Sequence, residues 1–269
     1  MNGKEIIFEA LKMTQLDTVH ITVDPERSVS ATDSRFGGDF YLPQGKNPPA
    51  CSKYGEMEFL GQINFSHTPH IQGFPQKGIL QFFLCTEEAA LEEMEDDYTF
   101  RSSDGLFQVV YYPEAENSEY CCSEHLPENR WLTKKLLGGM SFTKANETAT
   151  LSIGEEGFLT DMGWEDALDV LSSELLQKAG YDLSDCPDTD RFCLEFGNWG
   201  CKFGGHPAIR QADFRLEEDE CEEYSVLLFQ MDLTSPDELE GDTFCFFIKP
   251  KDLQECRFDD VLLIWHNCF

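Results

Sequence analysis

Short apolar runs, each closed by Gly, Pro or charge, recur along the chain. "FLGQINF" at Phe59–Phe65, "GILQFFL" at Gly78–Leu84 and "LFQVVYY" at Leu106–Tyr112 are rich in β-branched and aromatic residues, a pattern that predicts strands. The same order returns further on as "LLFQMDL" at Leu227–Leu233, "TFCFFIKP" at Thr243–Pro250 and "DVLLIWHN" at Asp260–Asn267. Strands also fit "VHITV" from Val19 and "RFCLEFG" from Arg191. Each set is preceded by a basic residue followed by Phe-Gly-Gly, "RFGG" from Arg35 and "KFGG" from Lys202, which stand 167 positions apart. Gly38 precedes Gln62 by 24 residues and Gly205 precedes Gln230 by 25, so order and spacing agree. Motifs repeated in one order predict an internal duplication of a β-rich unit, with copies at about 30–113 and 198–268.

The period changes to 3.6 in one place. In "GWEDALDVLSSELLQKAG" at Gly163–Gly180, Trp164, Ala167, Leu168, Leu171, Leu175 and Ala179 form one stripe, Asp161 is a suitable N-cap and Gly180 a stop. This predicts a helix between the copies, inside a linking helical region at about 130–197. Shorter helices are expected at Lys4–Met13 and Glu87–Glu95, one helical turn after Ser235, and an irregular loop over Glu114–Glu128. A sheet of about three strands holds its apolar face only under another layer. The two copies are therefore expected to share one core, and cutting near Asn146 is expected to leave no two folded pieces.

Composition adds a strong charge bias. Against 20 Lys and Arg stand 51 Asp and Glu, a formal net charge of −31. The excess is spread over both halves. Such a field repels nucleic acid and anionic lipid and attracts basic partners, although solubility alone is also served by it. No apolar run approaches the ~20 residues of a membrane span, and the first residues carry no signal-peptide pattern. The 11 cysteines are odd in number and form no Cys-x-x-Cys, which points to free thiols in a cytoplasmic setting and away from a zinc site.

Candidate chemistry is sparse. The Gly-Gly turns lack the Lys-Ser/Thr ending of a nucleotide loop and the third Gly of a dinucleotide fingerprint, so they are read as backbone turns anchored by Phe36 and Phe203. His67 and His70 flank Thr68-Pro69 without ligand spacing, and there is no Gly-x-Ser-x-Gly. No catalytic residue, metal or cofactor is expected. The acidic runs at Glu217–Tyr224 and Glu87–Asp97 lack the Gly-centred alternation of a calcium loop and read as solvated faces or as a docking surface. Asp213, Asp232 and Asp242 lie at corresponding ends of repeat elements, where convergence would suit a hard cation and turn capping is the commoner use. Gln62 and Gln230, from equivalent strands, with Gln211, Asp213 and Arg215 from the second turn, are candidates for a site at the seam of the copies. Satisfying backbone groups is the competing role for the two strand glutamines.

"FGGDFYLP", "FLGQINF", "GILQFF", "FGGHPAIRQADFR", "LLFQMDL", "GDTFCFFI" and "FDDVLLIWHNC", taken together from Arg35 to Cys268, resemble the motifs of the YwqG-like family of bacterial proteins. The chain departs where that family usually has Trp-Asp-Cys, reading Trp265-His266-Asn267, and at Glu240-Gly241-Asp242, where an aromatic is missing. The resemblance implies an α+β fold: one β-rich domain of two intertwined repeats in antiparallel or mixed sheets, with a few flanking helices. The family is in turn remotely similar to the programmed-cell-death-2-like proteins, escorts of a ribosomal protein. Charge and resemblance together lead to the expectation of a binding or escort protein for a basic protein. The alternative is a small-molecule or divalent-cation-dependent enzyme with its site at the seam.

Overall fold

The computed structural model describes residues 15–96, 98–114, 120–121, 136–148, 151–154, 157–160, 198–208, 215, 221–233 and 241–268. The helices expected at Lys4–Met13, Gly163–Gly180 and after Ser235, and the strand expected from Arg191, lie outside these residues. Eleven strands form one sheet: β1 (Leu16–Asp24), β2 (Arg35–Phe36), β3 (Glu58–Asn64), β4 (Ile79–Leu84), β5 (Thr99–Arg101), β6 (Phe107–Tyr112), β7 (Gly138–Glu147), β8 (Lys202–Gly204), β9 (Val226–Asp232), β10 (Gly241–Ile248) and β11 (Val261–Cys268). Among the described residues two α-helices flank it, α1 (Glu88–Asp96) and α2 (Pro250–Gln254). Small two-stranded ladders join 42–43 to 120–121, 50–51 to 55–56 and 151–154 to 157–160.

The spatial order is β5-β11-β10-β9-β8-β1-β7-β2-β3-β4-β6. Every adjacent pair is antiparallel, so the sheet is not mixed. At its centre β1 and β7 pair over nine residues, from Leu16 opposite Glu147 to Asp24 opposite Gly139. β7 lies in the span read from sequence as a helical linker. That reading is corrected: residues 138–147 are a strand, and 151–154 with 157–160 are a hairpin. The physical reason is that β1 offers β7 a complete ladder of backbone partners, which outweighs the weak strand propensity of Lys144, Ala145, Asn146 and Glu147.

β1 lies beside β8, whereas β7 lies beside β2. The sequence neighbours β5 and β6 stand at opposite ends of the strand order, joined by the short turn Ser102–Asp104. Ser102 is also tied to β11, its Oγ accepting from Val261 N at 3.0 Å and donating to Val261 O at 3.1 Å. The sheet therefore curls until its two edges are brought together.

The inside of the curl is filled by rings. Phe82 stacks on Phe229 at 4.3 Å and lies 5.0 Å from Phe246, while Phe36 lies 5.9 Å from Phe229 and Phe107 5.7 Å from Phe246. Residues from before and after the centre of the chain thus meet ring against ring, each fully buried Phe contributing about 1.5–3 kcal/mol. α1 packs Ala90 and Met94, four residues apart, on the same core. Among the described residues no helix is long and apolar enough to cross a membrane.

Candidate functional site

The two glutamines sit on the outer face of the sheet, each under a loop. Gln62 Nε2 donates to Ala31 O at 2.7 Å and Asp33 O at 2.8 Å; its Oε1 accepts from Tyr41 N at 3.1 Å and Gln81 Nε2 at 2.9 Å. Gln230 Nε2 donates to Asn198 O at 3.1 Å and Gly200 O at 2.8 Å; its Oε1 accepts from Ala208 N at 2.8 Å and Cys245 Sγ at 3.6 Å. Both are fully buried, and two donors and two lone pairs are the whole capacity of an amide. Neither has a hydrogen bond to spare for a ligand. They act as staples that hold the Gly-Gly loops onto the sheet.

Among the described candidates, Asp232 and Asp242 do not converge. Asp232 accepts from Gly200 N at 2.8 Å and Thr243 Oγ1 at 3.3 Å, while Asp242 accepts from the Trp265 indole at 2.9 Å. Thr243 and Asp242 are successive residues of β10 and point to opposite faces, so the two carboxylates are divided by the sheet. Arg215 is buried with its guanidinium 4.0 Å above the Phe247 ring. Gln211 and Asp213 lie outside the described residues. Among the described residues no group of three or more His, Cys, Asp or Glu is placed to hold a metal ion. Among the described residues the seam is packed by Phe36, Phe82, Phe229 and Phe246.

One charged cluster went unread in the sequence. Lys202 is fully buried, and its Nζ donates to Glu147 Oε2 at 2.7 Å. The same oxygen accepts from His206 N at 3.2 Å, and Oε1 lies 3.3 Å from His20 Nε2. Burial pushes the Lys202 pKa down against the opposing pull of Glu147. The repeated basic letter before Phe-Gly-Gly was the available signal, but its partner lies 55 residues away and is brought near only by the β7-β1-β8 register.

Charged side chains also explain the second glycine of each turn. A Cβ on Gly205, at φ +70°, would come within 2.3 Å of Glu147 Oε2, and one on Gly38, at φ +66°, within 2.5 Å of Arg35 Nη2. Both positions combine positive φ with a charged group pressed on the backbone.

Burial pushes the Cys85 and Cys201 thiols up to about 12, away from nucleophile chemistry. Concavities open on the surface of the described residues, two of which are well defined. One of about 410 Å³ is lined by Arg27, Asp33, His67 and Ser141, with Arg27 donating to Met140 O at 2.8 Å. The other, about 710 Å³, runs along β6 between Gln108–Tyr111 and the segment Cys256–Asp259.

No curated protein matches the sequence. Residues 34–268 match the family described as a domain of unknown function, DUF1963, a span that takes in ten of the eleven strands and both Gly-Gly turns. The chain belongs to that family.

Proposed function

We propose that this chain is a non-enzymatic binding protein that escorts or neutralises a basic protein. The observation that carries the reading is the net charge of −31. That figure already counts every Lys and Arg, and several of the described cations lie in ion pairs with acids. Lys53 pairs with Glu93, Lys144 with Asp17, Lys249 with Asp260 and Glu223, and Arg257 with Asp252 and Glu255. What remains exposed is an acidic excess that steers a basic partner toward the surface.

The architecture is part of the same proposal. The backbone partners of Gln62 and Gln230 fall at 31 and 198, 33 and 200, and 41 and 208, a constant offset of 167. The ladder irregularities between Phe59 and Gly61 and between Leu227 and Phe229 are likewise equivalent. These regularities support a duplicated, YwqG-like unit. The placement of β1 beside β8 and β7 beside β2 supports exchange of the first strand of each copy, which makes the two intertwined. Cys51, Cys85, Cys201 and Cys256 are free thiols, in keeping with a reducing cytoplasm.

Affinity purification from the native host with protein identification, at ~0.1 M and ~1 M salt, tests the function. Basic proteins are expected to co-purify at the lower salt and to be lost at the higher, where the screening length falls from about 10 Å to about 3 Å. Recovery of no basic protein at either salt overturns the reading.

A further inference from the structure

The two edges of the sheet are built differently. β5 has three residues, carries Arg101, and is closed at once by the turn in which Arg101 N donates to Asp104 Oδ2 at 2.7 Å. β6 has six, Phe-Gln-Val-Val-Tyr-Tyr, with neither charge nor proline, in a chain of which 26% is charged. Sheet edges are normally blunted by shortness, charge or proline. β5 is blunted in this way and β6 is left open.

The direction of β6's free groups follows from its register. Cys85 N donates to Leu106 O at 2.7 Å, while Leu84 stands opposite Phe107. In an antiparallel ladder this makes Phe83 with Gln108 and Gln81 with Val110 the hydrogen-bonded pairs. Phe107, Val109 and Tyr111 then turn their N–H and C=O outward, and among the described residues no backbone group takes them up. The concavity of about 710 Å³ lies against this edge: four consecutive residues, Gln108–Tyr111, line it, as happens when a groove opens on the edge of a strand and not on one face. Its far wall is apolar at Phe258, whose ring lies 5.0 Å from that of Tyr111. Its charged lining residues are Arg257 and Asp259, and Arg257 is already paired with Asp252 and Glu255, so that acids outnumber the one base across residues 252–259.

We infer that the outer edge of β6 takes an extended basic peptide segment as a twelfth strand, the segment alternating apolar side chains toward Phe258 and Tyr111 with Lys or Arg toward the rim. The inference rests on the basic-partner reading and adds the surface on which the partner docks. Main-chain bonds to Val109 and Tyr111 supply the register, as in other strand-addition complexes. A second copy of this chain is the poorer occupant, because two bodies of charge −31 repel.

The experiment uses the whole chain with two blocked octapeptides, one alternating Lys and Val and the other Glu and Val. In the free protein, amides of Val109 and Tyr111 are expected to exchange fast and those of Gln108 and Val110 slowly. The Lys/Val peptide is expected to protect Val109 and Tyr111, and the Glu/Val peptide to leave them unprotected. Val109→Ala and Val109→Pro both delete the side chain, but only the second deletes the outward N–H; binding of the Lys/Val peptide is expected to be at least tenfold weaker in V109P than in V109A. Should V109P fail to fold, Gln108→Lys at the exposed position beside it replaces it, expected to weaken the peptide severalfold.

Slow exchange of Val109 and Tyr111 in the free chain would mean that the chain covers its own edge and would overturn the inference. So would a dimer through β6 that tightens with salt. Peptide binding that leaves β6 unprotected and is equal in V109A and V109P overturns the docking surface while leaving the basic-partner reading standing. Failure of the peptide together with failure of the host purification overturns both.

Discussion

The region around Gln62 and the region around Gln230 solve one problem with different chemistry. In both, a buried amide staples a Gly-Gly loop to the outer face, and a basic residue sits on the neighbouring strand directly opposite it, Arg35 opposite Gln62 and Lys202 opposite Gln230. In the first region Arg35 is only partly buried and bonds the Gly37 carbonyl at 2.9 Å, a local contact two residues away. In the second Lys202 is sealed and answered by Glu147 from the central strand β7. The fourth partner differs too, Gln81 in one and Cys245 in the other. The lesson is that the backbone bonds define the unit. The charge on top is free to diverge, and only the second region ties its charge to the middle of the sheet.

The largest effect is expected from separating the regions. Co-expressed or separately made pieces 1–125 and 126–269 take β1 from its neighbours β7 and β8, and β7 from β2. Neither piece alone is expected to show cooperative melting or dispersed amide spectra, and the mixture is expected to recover both. Independent folding of each piece would end the intertwined reading.

Next comes the charge difference. Glu147→Gln strands a fully buried ammonium, and removal of one member of a buried pair costs about 3–5 kcal/mol. Arg35→Met removes a partly exposed contact to a carbonyl and is expected to cost about 0.5–1.5 kcal/mol. Chemical denaturation of both variants measures the gap; equal losses would show that the two regions carry their charges alike.

The smallest effect is in pH. Burial holds Lys202 below the ordinary lysine value of 10.5. Between its folded value and 10.5 the unfolded chain binds the additional proton, so the stability contributed at this position rises with pH in that window and is flat below it. Lys202→Met removes this slope. The stability difference between parent and variant, followed from neutral pH to pH ~10, is expected to move in favour of the parent; a difference that moves the other way contradicts the buried, desolvated placement.

The sheet was largely legible because its strands advertise themselves. β3, β4, β9, β10 and β11 are buried on both faces and so appear as dense apolar runs between Gly, Pro and charge. β7 was not, because one face meets solvent and its second half, Lys-Ala-Asn-Glu, reads as neither strand nor helix until β1 is beside it. Gln62 and Gln230 stood out as repeated letters, and their competing role as backbone partners is the one their geometry fills. Glu147 could not be singled out among 51 acids, since what distinguishes it is a neighbour across the register and not a motif in the chain.

The pairing of β1 with β7 and β8 sets a schedule for synthesis. A nascent chain emerges amino terminus first. Its first described strand then waits without its long partner until residue 147 is out, and without its second until residue 204. Three-quarters of the polypeptide must clear the ribosome before the centre of the sheet can close. During that interval β4 and β6 already carry Phe82 and Phe107, whose partners Phe229 and Phe246 are not yet made. The first half of the core therefore stays incomplete until the second half of the chain has been made.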